Sequence, residues 1–247
     1  MAALYDTIGH GYVGRRRPDP RIAAAIERAL GDAASVVNVG AGTGSYEPVG
    51  RRVLAIEPSL EMVRQRAPGA APAVRADASA LPLPDASHDA SLAVLTVHHW
   101  PALEQGLAEL VRVARRRVVV FTHDPDATGF WLEDYFPAMF QQIRRMLPPL
   151  ERLRRALGHA QTVAVAVPPD CLDGFLCAYW CRPEAYLDAR NRAAISSFAM
   201  LPPGAVTEGL ACLDADLRSG AWEERNGSVR ERTSIDLGYR ILVREVS

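Results

Sequence analysis

Apolar positions in this chain follow two rhythms that alternate along its first half. Val36, Val37 and Val39 form a short apolar run that stops at Gly40-Ala41-Gly42-Thr43-Gly44. Residues 53–56 form a second run ending at Glu57, and 74–77 reads as a third, closed by Asp77. Residues 89–95 are almost continuously apolar, as a parallel strand buried on both faces should be. A fifth strand is predicted over 117–122, and 162–167 alternates weakly as a sixth. A last strand is predicted over 238–246, where Tyr239, Ile241 and Val243 alternate with polar positions.

Between these runs the period lengthens to that of a helix. Ile22, Ile26, Ala29 and Leu30 share one face, with Asp19 as cap, Pro20 as first residue and Gly31 as stop. Ser59 can cap a helix over 60–66. Another is predicted from Pro101, with Leu103, Leu107, Leu110, Val111 and Ala114 on one side. After residue 123 the alternation lapses. Residues 124–160 read as helix broken at Pro148-Pro149, and further helical patterns lie around 183–190, 193–200 and 205–218. Only eight residues separate Gly44 from Val53, and Pro48 and Gly50 are among them, so little more than a turn is expected there.

The 247 residues suit one domain: an N-terminal lid over 1–34, a core over 35–123, a mostly helical region with strand six over 124–235, and a final strand from 236. Net charge is −1, and no lysine is present, so all 28 basic residues are arginine. Runs such as 15–17 and 115–117 therefore read as arginine standing in for lysine, and no nucleic-acid partner is expected. No apolar run reaches the ~18 residues of a membrane span, so no membrane partner is expected either. Asp6 and Arg15 interrupt any signal-like start, and Cys171, Cys177, Cys181 and Cys212 match no zinc spacing. The expectation is a cytoplasmic protein with free thiols and no metal, a monomer or homodimer. A soft-metalloid site at Cys171, Cys177 and Cys181 is the alternative for the thiols.

The chemistry is concentrated at the glycines. A strand running into a glycine loop is where open α/β sheets bind nucleotides. A dinucleotide fingerprint needs G-x-G-x-x-G, but Ser45 stands at its third glycine, and here the third glycine is Gly44. G-x-G-x-G, with Glu57 closing the next strand and Asp77-Ala78 closing the third, resembles the class I S-adenosylmethionine (SAM) methyltransferases. The small-molecule enzymes of the ubiquinone/menaquinone-biosynthesis type are the most similar. The resemblance runs from Val36 to Thr122.

It implies an α/β, Rossmann-like sheet of about seven strands, the last antiparallel, with a helical insertion after strand five and an N-terminal helical lid. It implies SAM as cofactor and S-adenosyl-L-homocysteine (SAH) as product. It places the cofactor against Gly40, Ala41, Gly42, Thr43 and Gly44, with Glu57 on the ribose hydroxyls and Pro58 beside it. Met62 faces the adenine, as do Asp77 and Ala78. Thr96 and Val97 belong to the loop after strand four. Asn38 stands where the family usually has an acid. In the lid, Tyr12 or Arg16 could meet the methionine carboxylate.

His98 and His99, just past strand four, are the first candidates for a general base, and His123, beside Asp124, is the next. Their alternative is packing on the cofactor and bonding a loop carbonyl. The aromatic cluster over 130–140 reads either as core or as an acceptor pocket walled by Trp131, Tyr135 and Phe136. Asp173 and Phe175 could close that pocket from above. The expected reaction is methyl transfer to a small-molecule acceptor, as in bacterial secondary metabolism. The alternatives are a fold relative that keeps SAM without transferring its methyl, and a nicotinamide oxidoreductase.

Overall fold

Seven strands account for the apolar runs: β1 (Ser35–Val39), β2 (Arg52–Ile56), β3 (Ala73–Val74), β4 (His88–Val94), β5 (Ala114–His123), β6 (Gln161–Ala164) and β7 (Tyr239–Glu245). The computed structural model describes residues 16–246. The strands form one sheet in the order β3-β2-β1-β4-β5-β7-β6. β1 to β5 are parallel, and β7 lies antiparallel between β5 and β6. This is the Rossmann-like sheet the sequence led us to expect. The strand order reverses between β1 and β4, which is where such sheets open a crevice at their carboxyl edge.

Alternation along β5 supplies a core to each face. Val119 and Phe121 point to one side, where Ile22, Ile26 and Leu30 of α1 (Pro20–Leu30) pack. Val118 and Val120 point to the other, against Leu107 and Leu110 of α3 (Leu103–Val113). α1 starts as its sequence dictates: the Asp19 side chain accepts the Arg21 backbone N–H at 2.9 Å, and Pro20 occupies the first turn. α2 (Leu60–Arg64) starts the same way, with Ser59 Oγ accepting the Met62 N–H at 3.2 Å.

Several boundaries depart from the pattern. β3 is only two residues long, so Asp77 lies in the loop beyond it. The helix expected from Pro101 begins at Leu103, after a turn, and Ala114 already pairs with His88 as the first residue of β5. The helical stretch after residue 123 is three helices: α4 (Leu132–Tyr135), α5 (Pro137–Met146) and α6 (Leu150–Ala156). Pro148-Pro149 makes the second break. β6 stops at Ala164, and Val167 instead bridges to Ile235. Short turns precede α7 (Ala189–Arg192) and α8 (Ser196–Ala199), and α9 (Pro203–Ser219) and α10 (Ala221–Asn226) follow.

The run 115–117 is an ion-pair row at the foot of the sheet. Arg115 meets Asp89, Arg116 meets Asp32, and Arg117 meets Glu245. Among the described residues no helix is long and apolar enough to cross a membrane. Nor do any three or more His, Cys, Asp or Glu side chains among them come together as a metal site, Cys171, Cys177 and Cys181 included. The four cysteines are free thiols.

Candidate active site

At the carboxyl edge the glycine loop is shaped by its neighbours. Gly40 has φ +71°, and a Cβ there would lie 2.2 Å from Thr96 Oγ1, so the close approach of the β4 exit demands a bare backbone. Gly42 has φ +52°, yet a Cβ would meet only Met62 Cε, at 3.4 Å. Gly42 is held from both sides. Its N–H donates to Glu57 Oε2 at 2.8 Å, and its carbonyl accepts from Arg66 Nη1 at 3.1 Å. Between Gly44 and β2 there is no helix, as the short spacing led us to expect.

Glu57 is buried at the end of β2, where its other oxygen accepts the Ser59 N–H at 2.8 Å. Asn38, on β1, is 1 % exposed, and neither its amide oxygen nor its nitrogen has a hydrogen-bond partner. Asp77 accepts the Ser79 hydroxyl at 2.6 Å and its N–H at 2.8 Å, which together hold its carboxyl below the ordinary range.

These groups open onto a cavity of about 570 Å³, lined at this end by Asn38, Gly40, Ala41, Gly42, Thr43, Glu57, Pro58, Met62, Asp77, Ala78 and Thr96. Arg16 also lines it. Its guanidinium forms a fork on Asp173, at 2.6 and 3.2 Å, and Asp173 also accepts the Tyr46 hydroxyl at 2.9 Å. Tyr12 lies outside the described residues.

The cavity continues past the exits of β4 and β5. His98, His99, Trp100 and His123 line it there, with Ile143, Met146 and Leu147 of the α5 end, Phe175 and Leu176, residues 194–197, and Tyr239. Leu95, at the mouth of β4, adopts φ +49°, a left-handed backbone that costs a non-glycine residue energy. Burial pushes the His98 imidazole down to about 3, helped by the neighbouring His99 and His123, and pushes His99 down to about 4. Burial also lowers His123. Its Nε2 lies 2.9 Å from the Leu237 carbonyl, an acceptor only, so the ring proton sits on Nε2. Its Nδ1, like that of His98, is buried without a partner.

Six expected contacts are not made to this cavity. Trp131, Tyr135 and Phe136 are buried in an aromatic core: Trp131 donates to the Trp180 carbonyl at 2.8 Å and stacks edge-on against Trp222 and Tyr186. Tyr135 donates to Asp216 and Phe136 packs on Phe198. The core reading of the 130–140 cluster therefore replaces the pocket-wall reading. Asp173 sits behind Arg16 rather than in the cavity. Val97 turns into the core on the α3 face, and Gly44 lies outside the lining. The aliphatic lining of 143–147 and 194–197 carried no sequence signal, because apolar residues on short helices read simply as core.

A family profile for a methyltransferase domain matches residues 37–122. The chain is 35% identical to an Anabaena variabilis protein of known structure, described as a candidate methyltransferase from an antibiotic biosynthesis pathway. That match covers 92% of this chain and 98% of the other, with a TM-score of 0.86. The [4+2]-cyclase SpnF shares the fold at 17% identity and a TM-score of 0.55, covering 98% of this chain and 93% of its own. Geranyl diphosphate C-methyltransferase of Streptomyces coelicolor does so at 14% identity and 0.51, covering 92% and 79%. No curated protein matches in sequence. With that long match to the Anabaena protein, and the methyltransferase profile on its glycine-loop half, the chain belongs to the class I SAM-dependent methyltransferases.

Proposed function

We propose that the protein transfers the methyl group of SAM to a small-molecule acceptor of secondary metabolism, held in the part of the cavity beyond β4. One observation carries this reading. A single cavity runs from the glycine loop to the β4 and β5 exits, lined at its far end by α5 and by residues 175–176 and 194–197. An acceptor must fit inside, beside the cofactor. The Anabaena relative's description, a candidate methyltransferase of an antibiotic pathway, supports the choice of pathway class.

The residues at the loop end fit SAM. Glu57 is oriented by the backbone N–H groups of Gly42 and Ser59, and its carboxylate faces the cavity at the end of β2, where a ribose would lie. The buried amide of Asn38 offers a donor and an acceptor without protein partners. Met62 and Ala78 supply apolar contact for the adenine, with Asp77 at its edge. Arg16, fixed by Asp173, offers its guanidinium to the methionine carboxylate.

When bound, SAM supplies an electrophilic methyl on a positively charged sulfur. The chain's part is to align the acceptor with that methyl and to exclude water, and alignment alone is worth roughly 7–11 kcal/mol. With their imidazoles depressed to about 3 and about 4, His98 and His99 are weak bases at neutral pH. Their role is to hold the acceptor by neutral hydrogen bonds, and His123, with its bare Nδ1, stands behind them.

The test is SAH formation from SAM in the presence of low-molecular-weight acceptor mixtures, compared with bulk tRNA and with protein. SAH should appear only with the small molecules. Methyl transfer to RNA or protein would overturn the reading, and SAM that stays bound but unconsumed throughout would favour a non-methylating role.

A further inference from the structure

The acceptor end of the cavity differs in charge from the cofactor end. Among the described lining residues the carboxylates are Glu57 and Asp77, both at the exits of β2 and β3. Beyond β4 the lining is Ile143, Met146, Leu147, Phe175, Leu176 and Ile195, relieved by the Ser196 and Ser197 hydroxyls and by imidazoles. Those imidazoles are kept neutral by burial. The one arginine among the described lining residues, Arg16, is already forked on the buried Asp173.

From this distribution we infer that the acceptor is uncharged: a largely apolar molecule presenting hydroxyl or carbonyl groups to the imidazoles and serines, and not an ammonium. The inference rests on the preceding reading of the site. A cation entering here would lose its hydration with no counter-charge among the described residues to repay it. It would also lie beside the positive sulfur of the cofactor, a like charge at close range in a poorly hydrated space. An anion would meet that sulfur only in the SAM complex, and among the described lining residues no arginine but Arg16. A neutral hydroxyl or carbonyl pays only the modest cost of exchanging water for protein hydrogen bonds.

The experiment uses three probes of similar shape: 2-naphthol, 2-naphthoate and 2-naphthylmethylammonium. Each is titrated calorimetrically at pH 7.5 into protein saturated with SAH. SAH binding is measured first and alone, so that its failure counts against the cofactor site and not against the charge ranking. The expected order places 2-naphthol at least tenfold tighter than the ammonium and tighter than the carboxylate. Met146→Glu, at the partly exposed end of α5, should raise ammonium affinity at least tenfold relative to naphthol, while Met146→Gln should leave the ranking alone. An ammonium or carboxylate that binds as tightly as naphthol would overturn the inference. So would failure of all three probes to bind at millimolar concentration, or an unchanged ranking in folded Met146→Glu.

Discussion

The guanidinium of Arg66 donates from Nη1 to the carbonyl of Gly42 at 3.1 Å, while its Nη2 reaches Glu47 at 2.6 Å and the Ala71 carbonyl at 3.0 Å. The Arg66 and Glu47 side chains are 6% and 11% exposed, so this is a nearly dry ion pair. In many nucleotide-binding sheets a helix follows the glycine loop and fixes it. Here none does, and the Gly42 peptide is instead strung between the Glu57 carboxylate and the Arg66 guanidinium. Arg66→Met should cost roughly 3 kcal/mol, the low end for breaking a buried ion pair. Urea unfolding of the two single variants and of Arg66→Met/Glu47→Gln provides the check. The double variant should cost less than the sum of the singles, and strict additivity would show that the pair is not coupled.

Glu57 has a structural duty beside its proposed one. Removing the carboxylate leaves the N–H groups of Gly42 and Ser59 without their acceptor, at about 1–3 kcal/mol. In its proposed role Glu57 also makes charge-assisted bonds to the ribose, which the substitution would remove. Glu57→Ala should therefore weaken SAH binding by about ten- to hundred-fold and lower stability together. Unchanged affinity in a calorimetric titration would contradict the ribose assignment.

The two glycines should fail in different ways. Alanine at Gly40 drives a methyl into Thr96, so Gly40→Ala should destabilise the fold, with partial rescue by Thr96→Ala. Gly42→Ala meets only the flexible end of Met62 and should melt within a few degrees of the parent while binding SAH less tightly. Thermal melts with and without SAH distinguish the two. Equal melting losses for both substitutions would argue against this division.

Stability should fall on mild acidification. In the unfolded chain histidines titrate near 6.5, whereas folded His98 and His99 sit at about 3 and about 4. Between those limits the unfolded chain binds more protons, so stability is intact above about pH 6.5 and is lost as pH falls toward 4. Asp19 acts lower. Burial raises its carboxyl, but Arg21 and the Leu172 N–H outweigh that and bring it to about 2, so its contribution goes only below about pH 4. His98→Gln/His99→Gln should flatten the melting curve against pH between 6.5 and 4, leaving the slope from His88 and His123, which burial also lowers. A variant curve parallel to the parent would contradict this.

Trp131 belongs to the aromatic core. Trp131→Ala should cost about 3–5 kcal/mol of stability, while SAH affinity of the folded variant stays within about threefold. A selective loss of acceptor turnover at parental stability would return Trp131 to the pocket.

The legible part of this protein is the part whose residues are read one at a time. Strand, glycine loop and terminal acid carry local meaning, so β1, β2, the Gly40–Gly44 turn and the Glu57 and Asp19 placements were all apparent in the chain. The acceptor end was not. Its lining comes from six separated stretches, and the same apolar residue on a short helix can face a cavity or a core. Phe140 and Ile143 show this: both lie on α5 and both are buried, yet only Ile143 meets the cavity. Aromatic density over 130–140 left core and pocket wall both open, because it signals burial without saying against what. The histidines were placed correctly at the strand exits, but the sequence held no sign of how far burial would weaken them as bases.

The sheet's outer edge imposes an order on how the chain can assemble. Among the described residues β6 has no sheet partner except β7, which wedges between it and β5. As the polypeptide emerges, β1 to β5 can pair with one another as soon as each is made. β6 must wait until everything from Val165 to Gly238 has been synthesised and β7 has docked on β5. Tyr239, the first residue of β7, also lines the cavity, so its far end is completed by the same late event. A nascent chain halted before that point would carry its glycine loop already beside β2 and β4, with an open apolar trough in place of the far end of the cavity.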